Sequence, residues 1–282
     1  MNICVYLRSS AADCFFQDNG IIAIEDRLTG SGLSYQHMKI AILSDIHSNL
    51  EALTACRDRA LAQGVERFVC LGDCVGYGPD PAATMDLLLS LPGLIAVLGN
   101  HDEQVVVENA SLPGAHEKQA VEWTRRQLRR EHLAYLGGLP YLRIENGVTY
   151  VHASAARPYE WIYLLTADLA RECLEASETP LVFVGHVHIP AIYWQTRLGT
   201  AEPVELQQDK AYALNPSQHY VVNAGSVGQP RDDDNRAAFV IYDDARNSVT
   251  FQRVDYDYSA TARKIQAAGL HPFFAERLAL GR

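Results

Sequence analysis

The sequence predicts an α/β domain in which helices alternate with the strands of a largely parallel sheet. Short apolar runs alternate with segments of helical periodicity, and polar residues follow the runs at their carboxyl ends. No linker rich in Pro, Gly or Ser interrupts residues 38–258, and a chain of 282 residues with 48% hydrophobic residues can bury one large core. We therefore expect a single domain over residues 38–258, with its site in the loops after the strands.

The first half of this region alternates strand and helix. The run KIAILSDI predicts a strand from Lys39, and segment 49–64 predicts a helix that ends at Gly64. RFVCLGD predicts the next strand, and Pro81 begins a helix in PAATMDLLLSLPG. LIAVLGN then predicts a third strand, so the order is the one that builds parallel sheets.

The second half is richer in strands. AHEKQAVEWTRRQLRREHLAYLGGLP predicts two helices that end at Gly137 and Gly138, and YLRIENGVTYVHAS predicts a hairpin with its turn at Asn146 and Gly147. A helix at 167–177 precedes the buried run LVFVGHVHIP. Further strands are expected around Tyr193, Tyr220, Phe239 and Val249.

Both ends of the chain differ from the region between them. Residues 1–37 have little sustained periodicity, so we expect an extension ahead of a natural start at Met38, or a tail without fixed structure. Residues 259–282 end in LHPFFAERLALGR and predict an amphipathic helical segment. Such a helix packs on its own domain or, less often, on a second copy in a homo-oligomer.

Composition and charge exclude several classes of protein. A net charge of −10 argues against an extended nucleic-acid surface, which requires clustered Lys and Arg. The six cysteines form no CxxC pair, which predicts reduced thiols and a cytoplasmic protein. No apolar run reaches the ~18 residues that a membrane-spanning helix needs.

Potential metal ligands follow the apolar runs at five places. They are Asp45 and His47 in SDIHSN, Asp73 in LGDC, Asn100 and His101 in LGNHD, His152 in VHAS, and His186 and His188 in GHVH. One such histidine is usually a hydrogen-bonded structural residue, but their recurrence at successive strand ends favours a metal site. Aspartate oxygens and imidazole nitrogens on rigid strand ends suit Mn, Fe and Zn.

In this order, SDIHSN, GDCVGYG, GNHD, VHAS and GHVH resemble the five motifs of the calcineurin-like metallophosphoesterases, from Met38 to about Asp233. GDCVGYGPDP and NAGSVGQPRD are similar to the small bacterial and archaeal phosphoesterases of that superfamily. The resemblance implies a two-sheet β-sandwich flanked by helices, in four layers. It also implies an enzyme with two divalent metal ions, Mn, Fe, Ni or Zn, of which Mn is the one we expect to serve best in an assay.

The resemblance further implies a role for each polar residue at the strand ends. One metal would be held by Asp45, His47, Asp73 and His188. The other would be held by Asp73, Asn100, His152 and His186, with Asp73 bridging the two. His101 would protonate the leaving group or contact the transition state.

The charge of such a site matches an anionic ester. Two divalent cations, two carboxylates and a bridging hydroxide leave about one positive charge. The hydroxide would attack phosphorus in line while the metals neutralise charge on the nonbridging oxygens. We therefore expect hydrolysis of phosphodiesters or small nucleotides, with a phosphomonoesterase as the alternative.

The sequence departs from one branch of the superfamily in the second motif. Gly76 and Tyr77 stand where protein serine/threonine phosphatases carry an acid and an arginine, so the acid that orients the catalytic histidine is missing. Asp102 is a candidate to replace it. Arg231 is expected to contact the substrate from the stretch 223–232, which is equally well interpreted as a Gly-rich structural turn.

A noncatalytic binding module on the same fold is the alternative from another class of function. Such relatives lose metal ligands, whereas this chain keeps every ligand that the motifs require, together with His101. A metallo-β-lactamase-type hydrolase would need a packed HxHxDH motif, which the sequence lacks. These comparisons favour the phosphoesterase.

Overall fold

The computed structural model describes residues 22–23, 37–107 and 114–282. Two β-sheets pack face to face and helices cover their outer faces, which confirms the α/β sandwich that the motifs imply. Apart from Ile22–Ala23, the predicted extension ahead of residue 37 lies outside the described residues. No helix within the described part is long and apolar enough to cross a membrane.

One sheet has six strands. They are β2 (Lys39–Leu43), β3 (Arg67–Cys70), β4 (Ile95–Ala96), β10 (Ala211–Ala213), β12 (Ala237–Asp243) and β13 (Ser248–Val254). Their order across the sheet is β10-β13-β12-β2-β3-β4. Strands β2, β3 and β4 are parallel, whereas β12 pairs antiparallel with both β2 and β13.

The other sheet has seven strands among the described residues. They are β1 (Ile22–Ala23), β5 (Leu142–Glu145), β6 (Val148–Val151), β7 (Leu181–Val184), β8 (Ala191–Gln195), β9 (Ala201–Pro203) and β11 (Tyr220–Asn223). Their order is β1-β5-β6-β7-β11-β8-β9. Strands β6, β7 and β11 are parallel, and β8 pairs antiparallel with β11.

Both sheets are therefore mixed, and the expectation of a largely parallel sheet is wrong. Strands that a helix connects run parallel, but strands that a tight turn connects must reverse direction. The predicted hairpin shows this reversal: β5 and β6 are antiparallel, and Asn146 and Gly147 have φ of 51° and 74°. The short strands β9 and β10 were not anticipated either.

Eight helices complete the described part of the chain. They are α1 (Leu50–Ala62), α2 (Pro81–Leu89), α3 (Asn100–Val106), α4 (Ala115–Gln127), α5 (Arg130–Gly137), α6 (Ala167–Ala176), α7 (Tyr258–Ala267) and α8 (Phe273–Leu280). Asn49 is the N-cap of helix α1, and its side chain accepts a hydrogen bond from the Ala52 amide. Helix α3 was not predicted, and it begins at Asn100, one of the candidate metal ligands.

The central strands are buried on both faces. In β2, Ile40 and Ile42 contact the core between the sheets, and Ala41 and Leu43 contact the core beneath the helices. Because successive side chains point to opposite faces, a strand with two buried faces has to be apolar throughout. This explains the unbroken apolar runs of the sequence.

The same arrangement positions the polar residues that follow the runs. Parallel strands release the chain at the same edge of a sheet, so the segments after β2, β3, β4, β6 and β7 meet at one edge of the sandwich. Helices α7 and α8 pack together nearby, and Phe274 and Leu278 lie in one cluster with Tyr77 of the second motif.

Candidate metal centre

Seven candidate ligands converge at the carboxyl ends of strands from both sheets. This strand-end cluster consists of Asp45, His47, Asp73, Asn100, His152, His186 and His188. The carboxylates and the four imidazoles are all buried, although they come from segments more than a hundred residues apart. Buried ionisable groups are stable when they are paired or coordinate a metal.

The first ligand set within this cluster is Asp45, His47, Asp73 and His188, and its ligand atoms all lie within 4.8 Å of one another. His188 Nε2 is 3.1 Å from Asp45 Oδ1, and His47 Nε2 is 3.7 Å from Asp73 Oδ2. Two carboxylate oxygens and two imidazole nitrogens thus surround one small volume. This donor set suits a divalent ion of the Mn to Zn series.

The second ligand set is Asp73, His152 and His186, again within 4.8 Å. His152 Nε2 lies 3.4 Å from Asp73 Oδ2 and 3.1 Å from His186 Nδ1. The amide oxygen of Asn100 is 3.1 Å from the same His152 nitrogen and adds a fourth donor. Asp73 belongs to both sets, so two adjacent ions could share its carboxylate.

Backbone carbonyls orient every imidazole of the cluster. The contacts are His47 Nδ1 to the Val75 oxygen at 3.3 Å, His152 Nδ1 to Leu71 at 2.8 Å, His186 Nε2 to Trp161 at 2.9 Å and His188 Nδ1 to Gln229 at 2.6 Å. Because a carbonyl only accepts, the nitrogen that faces it has to carry the proton. In the neutral ring, the form that binds a metal, the opposite nitrogen then presents its lone pair to the centre of the cluster.

These orientations leave an electrostatic conflict that a cation would relieve. The Nε2 atoms of His47 and His188 are 3.2 Å apart, so two lone pairs face each other when both rings are neutral and protonated on Nδ1. Asp45 Oδ1 is buried and accepts no hydrogen bond within the described part of the chain. Such unsatisfied acceptors are costly in a protein interior, and metal ligation satisfies all of them at once.

The pKa values show how strongly the cluster attracts positive charge. Burial alone would raise the pKa of Asp45 and Asp73, but the neighbouring histidines outweigh it and lower both values. Burial would lower the pKa of His152, but Asp73 and Asp45 overcome it and raise the value to about 10. Burial and His152 together lower the pKa of His186 to about 4, so its imidazole is neutral and has a lone pair available for a metal ion.

The backbone of the cluster is left-handed at several residues that are not glycine. Asp45, His47 and Asp73 have φ of 52°, 49° and 53°. His186 and His188 have φ of 66° and 64°, so their segment is not extended and the two imidazoles need not point the same way. One belongs to each ligand set, which is the division that the motifs imply. Strain of this kind persists where the surrounding structure demands it, often at functional sites.

His101 lies beside the cluster but belongs to neither ligand set. Its backbone amide donates to Asp73 Oδ1 at 2.8 Å, which anchors the start of α3 to the shared carboxylate. Its ring centroid is 4.4 Å from that of Tyr77 and 5.0 Å from that of His47. Gly76 borders the same ring, since a Cβ at that position would lie 3.1 Å from His101 Nδ1.

Asp102 does not orient His101 through its carboxylate in the way that the sequence suggested. Its oxygens accept hydrogen bonds from the Val75 and Gly99 amides, each at 3.2 Å. Burial and the charge of Asp73 raise its pKa to about 7. Asp102 therefore ties two loops together, while Tyr77 and the Gly76 backbone pack against the His101 ring.

The Gly-rich stretch 223–232 is built mainly as a structural turn. The Val227 and Gly228 amides donate to the Ser44 and Asp45 oxygens at 3.0 and 2.9 Å, so they are not available to a substrate. The same turn supplies the Gln229 carbonyl that orients His188. Its backbone thus supports the cluster, as expected of the structural turn.

Arg231 follows this turn and is half-buried. Its Nη2 donates to Gln229 Oε1 at 2.9 Å, and its Nε is buried without a hydrogen-bond partner among the described residues.

Two aromatic residues near the cluster were not predicted from the sequence. Trp161 accepts the His186 hydrogen bond, and the ring of Tyr163, 47% exposed, stacks on His186 at 4.1 Å. The aromatic content of YEWIYLL was the one available signal for them.

The chain is similar in sequence and in fold to known proteins. The family model described as calcineurin-like phosphoesterase superfamily domain matches residues 38–246. The uncharacterized protein MJ0912 of Methanocaldococcus jannaschii is 36% identical over 248 residues, which span 86% of this chain and 98% of that protein. A metallophosphoesterase structure from Sphaerobacter thermophilus is 38% identical with a TM-score of 0.79, and the match covers 88% of this chain and 100% of that one. The hypothetical protein PH1004 from Pyrococcus horikoshii OT3 shares the fold at 21% identity and a TM-score of 0.69, over 86% of this chain and 98% of that one.

Proposed function

This chain belongs to the calcineurin-like phosphoesterase superfamily and is a metal-dependent phosphoric ester hydrolase, and from that premise we propose that it cleaves phosphodiesters, including small nucleotides. The observation that carries the proposal is the pair of adjacent buried ligand sets that share Asp73. Both the carboxylates and the lone pairs of the imidazoles face the volume that the metals would fill.

We propose that one divalent ion is held by Asp45, His47, Asp73 and His188, and a second by Asp73, Asn100, His152 and His186. When bound, two such ions supply a hydroxide for in-line attack on phosphorus and neutralise the charge of the ester. The mixed oxygen and nitrogen donors support Mn as the assay metal, with Fe, Ni and Zn as alternatives. Asn100 and the imidazoles are neutral ligands, so the site keeps enough positive charge to bind an anion.

His101 is the residue that we assign to proton transfer. Its ring lies beside the cluster without belonging to either ligand set, and Tyr77 and His47 hold it in place. Burial lowers its pKa, and the negative charge of a bound ester would act in the opposite direction. A protonated imidazole at this position would donate its proton to the leaving oxygen.

Two features support a diester over a monoester as the substrate. Gly76 and Tyr77 place no arginine in the second motif, so a cationic clamp for a dianionic monoester is missing there. Tyr163 stacks on His186 and stays partly exposed, which offers an aromatic surface next to the reaction centre. Aromatic surfaces of this kind bind the planar groups of nucleotides.

With Mn, we expect a higher kcat/KM for bis(p-nitrophenyl) phosphate than for p-nitrophenyl phosphate. The diester carries one negative charge, which matches the charge left at the loaded metal pair. Arg231→Ala should reduce the activity on the monoester more if its guanidinium, whose Nε has no hydrogen-bond partner among the described residues, supplies the missing clamp. The measurement is kcat/KM for both esters on both proteins. A wild-type preference for the monoester by about tenfold would contradict the argument from charge and favour the phosphomonoesterase.

Gly76→Ala should lower kcat by about tenfold or more, because a Cβ there would push against the His101 ring and misplaced groups lose rate steeply. Gly147→Ala is the matched control: it replaces a left-handed glycine, with φ of 74° against 96°, but a Cβ there meets nothing within 4 Å. Both variants should lose stability through backbone strain. Thermal melts and kcat values separate the two effects, and an equal loss of kcat in both variants would exclude a specific role for Gly76.

A further inference from the structure

We propose that Tyr163 is a specificity-determining residue that stacks on a planar ring of the substrate, in the arm that stays on phosphorus after cleavage. The inference rests on the proposed function and makes its substrate class more specific. The substrate would be a phosphodiester whose retained arm carries a nucleobase or a similar planar ring. Tyr163 would select among diesters in this way without taking part in the chemical step.

Three aromatic side chains contact imidazoles of the strand-end cluster among the described residues. The pairs, with the distances between their ring centroids, are Tyr77 and His47 at 4.6 Å, Trp161 and His152 at 5.7 Å, and Tyr163 and His186 at 4.1 Å. Of the three aromatic rings, that of Tyr163 is closest to parallel with its imidazole, at 28°, and this residue is 47% exposed. Tyr163 therefore combines contact with a candidate metal ligand and an accessible surface.

The other two aromatic residues are covered more fully by the protein. The Tyr77 ring also lies 4.4 Å from that of His101 and 5.1 Å from that of Phe274. Both Tyr77 and Trp161 are half-buried, whereas Tyr163 is exposed. Tyr163 is thus the aromatic neighbour of the cluster with the most ring surface left for a substrate.

The segment that carries Tyr163 is anchored on both sides of this residue. The Trp161 carbonyl accepts a hydrogen bond from His186 Nε2 at 2.9 Å, and the Trp161 Nε1 donates to Glu103 Oε2 at 3.2 Å. Leu164, on the other side, is buried in the hydrophobic core that includes residues of α6. A ring that is held in place before binding loses little conformational freedom when a ligand binds, which favours affinity.

Tyr163 and His101 contact different ligand sets. The Tyr163 ring stacks on His186 of the second set, whereas the His101 ring lies 5.0 Å from that of His47 of the first set. The proposed function places the leaving oxygen at His101, where it takes up a proton. The arm beside Tyr163 is then the one that remains on phosphorus, so the phosphate product carries the planar ring.

Three p-nitrophenyl esters test this role: those of thymidine 5′-phosphate, of 5,6-dihydrothymidine 5′-phosphate and of the abasic 1,2-dideoxyribose 5-phosphate. They share one leaving group and differ in the retained arm, which has a planar base, a puckered saturated base or no base. Stacking of a base on an aromatic side chain requires a planar π face. With Mn, we expect wild type to prefer the thymidine ester to the abasic ester by about tenfold in kcat/KM, with the dihydrothymidine ester between them.

Variants of Tyr163 separate the aromatic ring from its hydroxyl group and from apolar contact in general. Tyr163→Leu should lower the preference for the thymidine ester over the abasic ester by about fivefold or more, and Tyr163→Phe should keep the preference because it keeps the ring. Tyr159→Ala is the matched control: Tyr159 is 64% exposed in the same loop, its ring lies 6.4 Å from that of Tyr141, and its removal should leave the preference unchanged. Activity on the abasic ester reports in each variant whether the metal centre is intact.

The outcomes distinguish the role of Tyr163 from the proposed function. A wild-type preference near one, or the same preference in Tyr163→Leu as in wild type, would overturn the inference while the diesters are still cleaved. Equal kcat/KM for the thymidine and dihydrothymidine esters, or equal losses in Tyr163→Phe and Tyr163→Leu, would overturn stacking as its basis. Cleavage of none of the three esters by wild type would contradict the diesterase function itself.

A binding measurement tests the stacking without turnover. In calorimetric titrations with Mn present, wild type should bind thymidine 5′-phosphate about tenfold more tightly than 1,2-dideoxyribose 5-phosphate. Tyr163→Leu should lose most of this difference, and Tyr159→Ala should keep it. Equal affinity of wild type for the two phosphates would overturn the inference.

Discussion

Asp73→Ala is expected to bind less than one equivalent of metal and to lose at least about a thousandfold in kcat/KM. Asp73 is common to both ligand sets, and its Oδ2 lies 3.4 Å from His152 Nε2 and 3.7 Å from His47 Nε2. Removing it leaves each set without its shared anionic ligand. Elemental analysis of the purified protein, together with diester kinetics in added Mn, measures both losses.

A second substitution separates ligation from loop structure. Asp73 Oδ1 also accepts the His101 amide at 2.8 Å, and Asp73→Asn retains an oxygen for that contact while it removes the charge. We expect Asp73→Asn to lose metal as well, but to unfold at a temperature closer to wild type than Asp73→Ala. Asp168→Ala removes an exposed carboxylate from the first turn of α6 and should retain two metals and full activity. Two metals at normal occupancy in Asp73→Ala would contradict a shared ligand.

His101→Ala is expected to retain both metals and to lose about 10²- to 10⁴-fold in kcat, the usual range for a general acid. The imidazole lies outside both ligand sets, and the backbone amide that anchors Asp73 is kept in this variant. The loss should therefore appear in turnover and not in metal content. This is the opposite of the pattern expected for the Asp73 variants.

The leaving group distinguishes the two roles that remain open for His101. If it protonates the leaving oxygen, the loss should be larger for an alkyl ester than for a p-nitrophenyl ester, whose leaving group hardly needs a proton. Equal losses on both esters would assign it to contact with the transition-state charge. His219→Ala, which truncates an exposed histidine, serves as the control and should retain wild-type kinetics. Wild-type kcat in His101→Ala would exclude both roles.

The sequence was sufficient to predict that the candidate metal ligands lie close together. An apolar run that ends in Asp, Asn or His is a local pattern. The carboxyl ends of parallel strands lie at one edge of the sheet, independent of the conformation of the loops that follow. Asp45, Asp73 and His152 could therefore be expected near each other from sequence alone. The order of the motifs also predicted the two-sheet sandwich and the assignment of His186 and His188 to different ligand sets.

Only the tertiary structure determined how these parts are oriented and what lies around them. The left-handed backbone at His186 and His188, and the carbonyls of Gln229 and Trp161 that face their rings, depend on loops distant in sequence. Asp102 was a candidate to orient His101, but its carboxylate instead accepts hydrogen bonds from backbone amides. No local pattern could predict these contacts.

The entrance to the site illustrates the same limit. Helix α8 is an amphipathic C-terminal helix whose sequence gives no sign of a role near the site, and it reaches the second motif because Phe274 packs against Tyr77. The aspartates that follow Arg231 in the sequence pair with Arg253, Arg282 and Arg236 from other parts of the fold. Sequence patterns report which face of an element is buried, since that depends on spacing along the chain. Which charges meet across elements depends on packing between distant segments, so only the folded structure determines it.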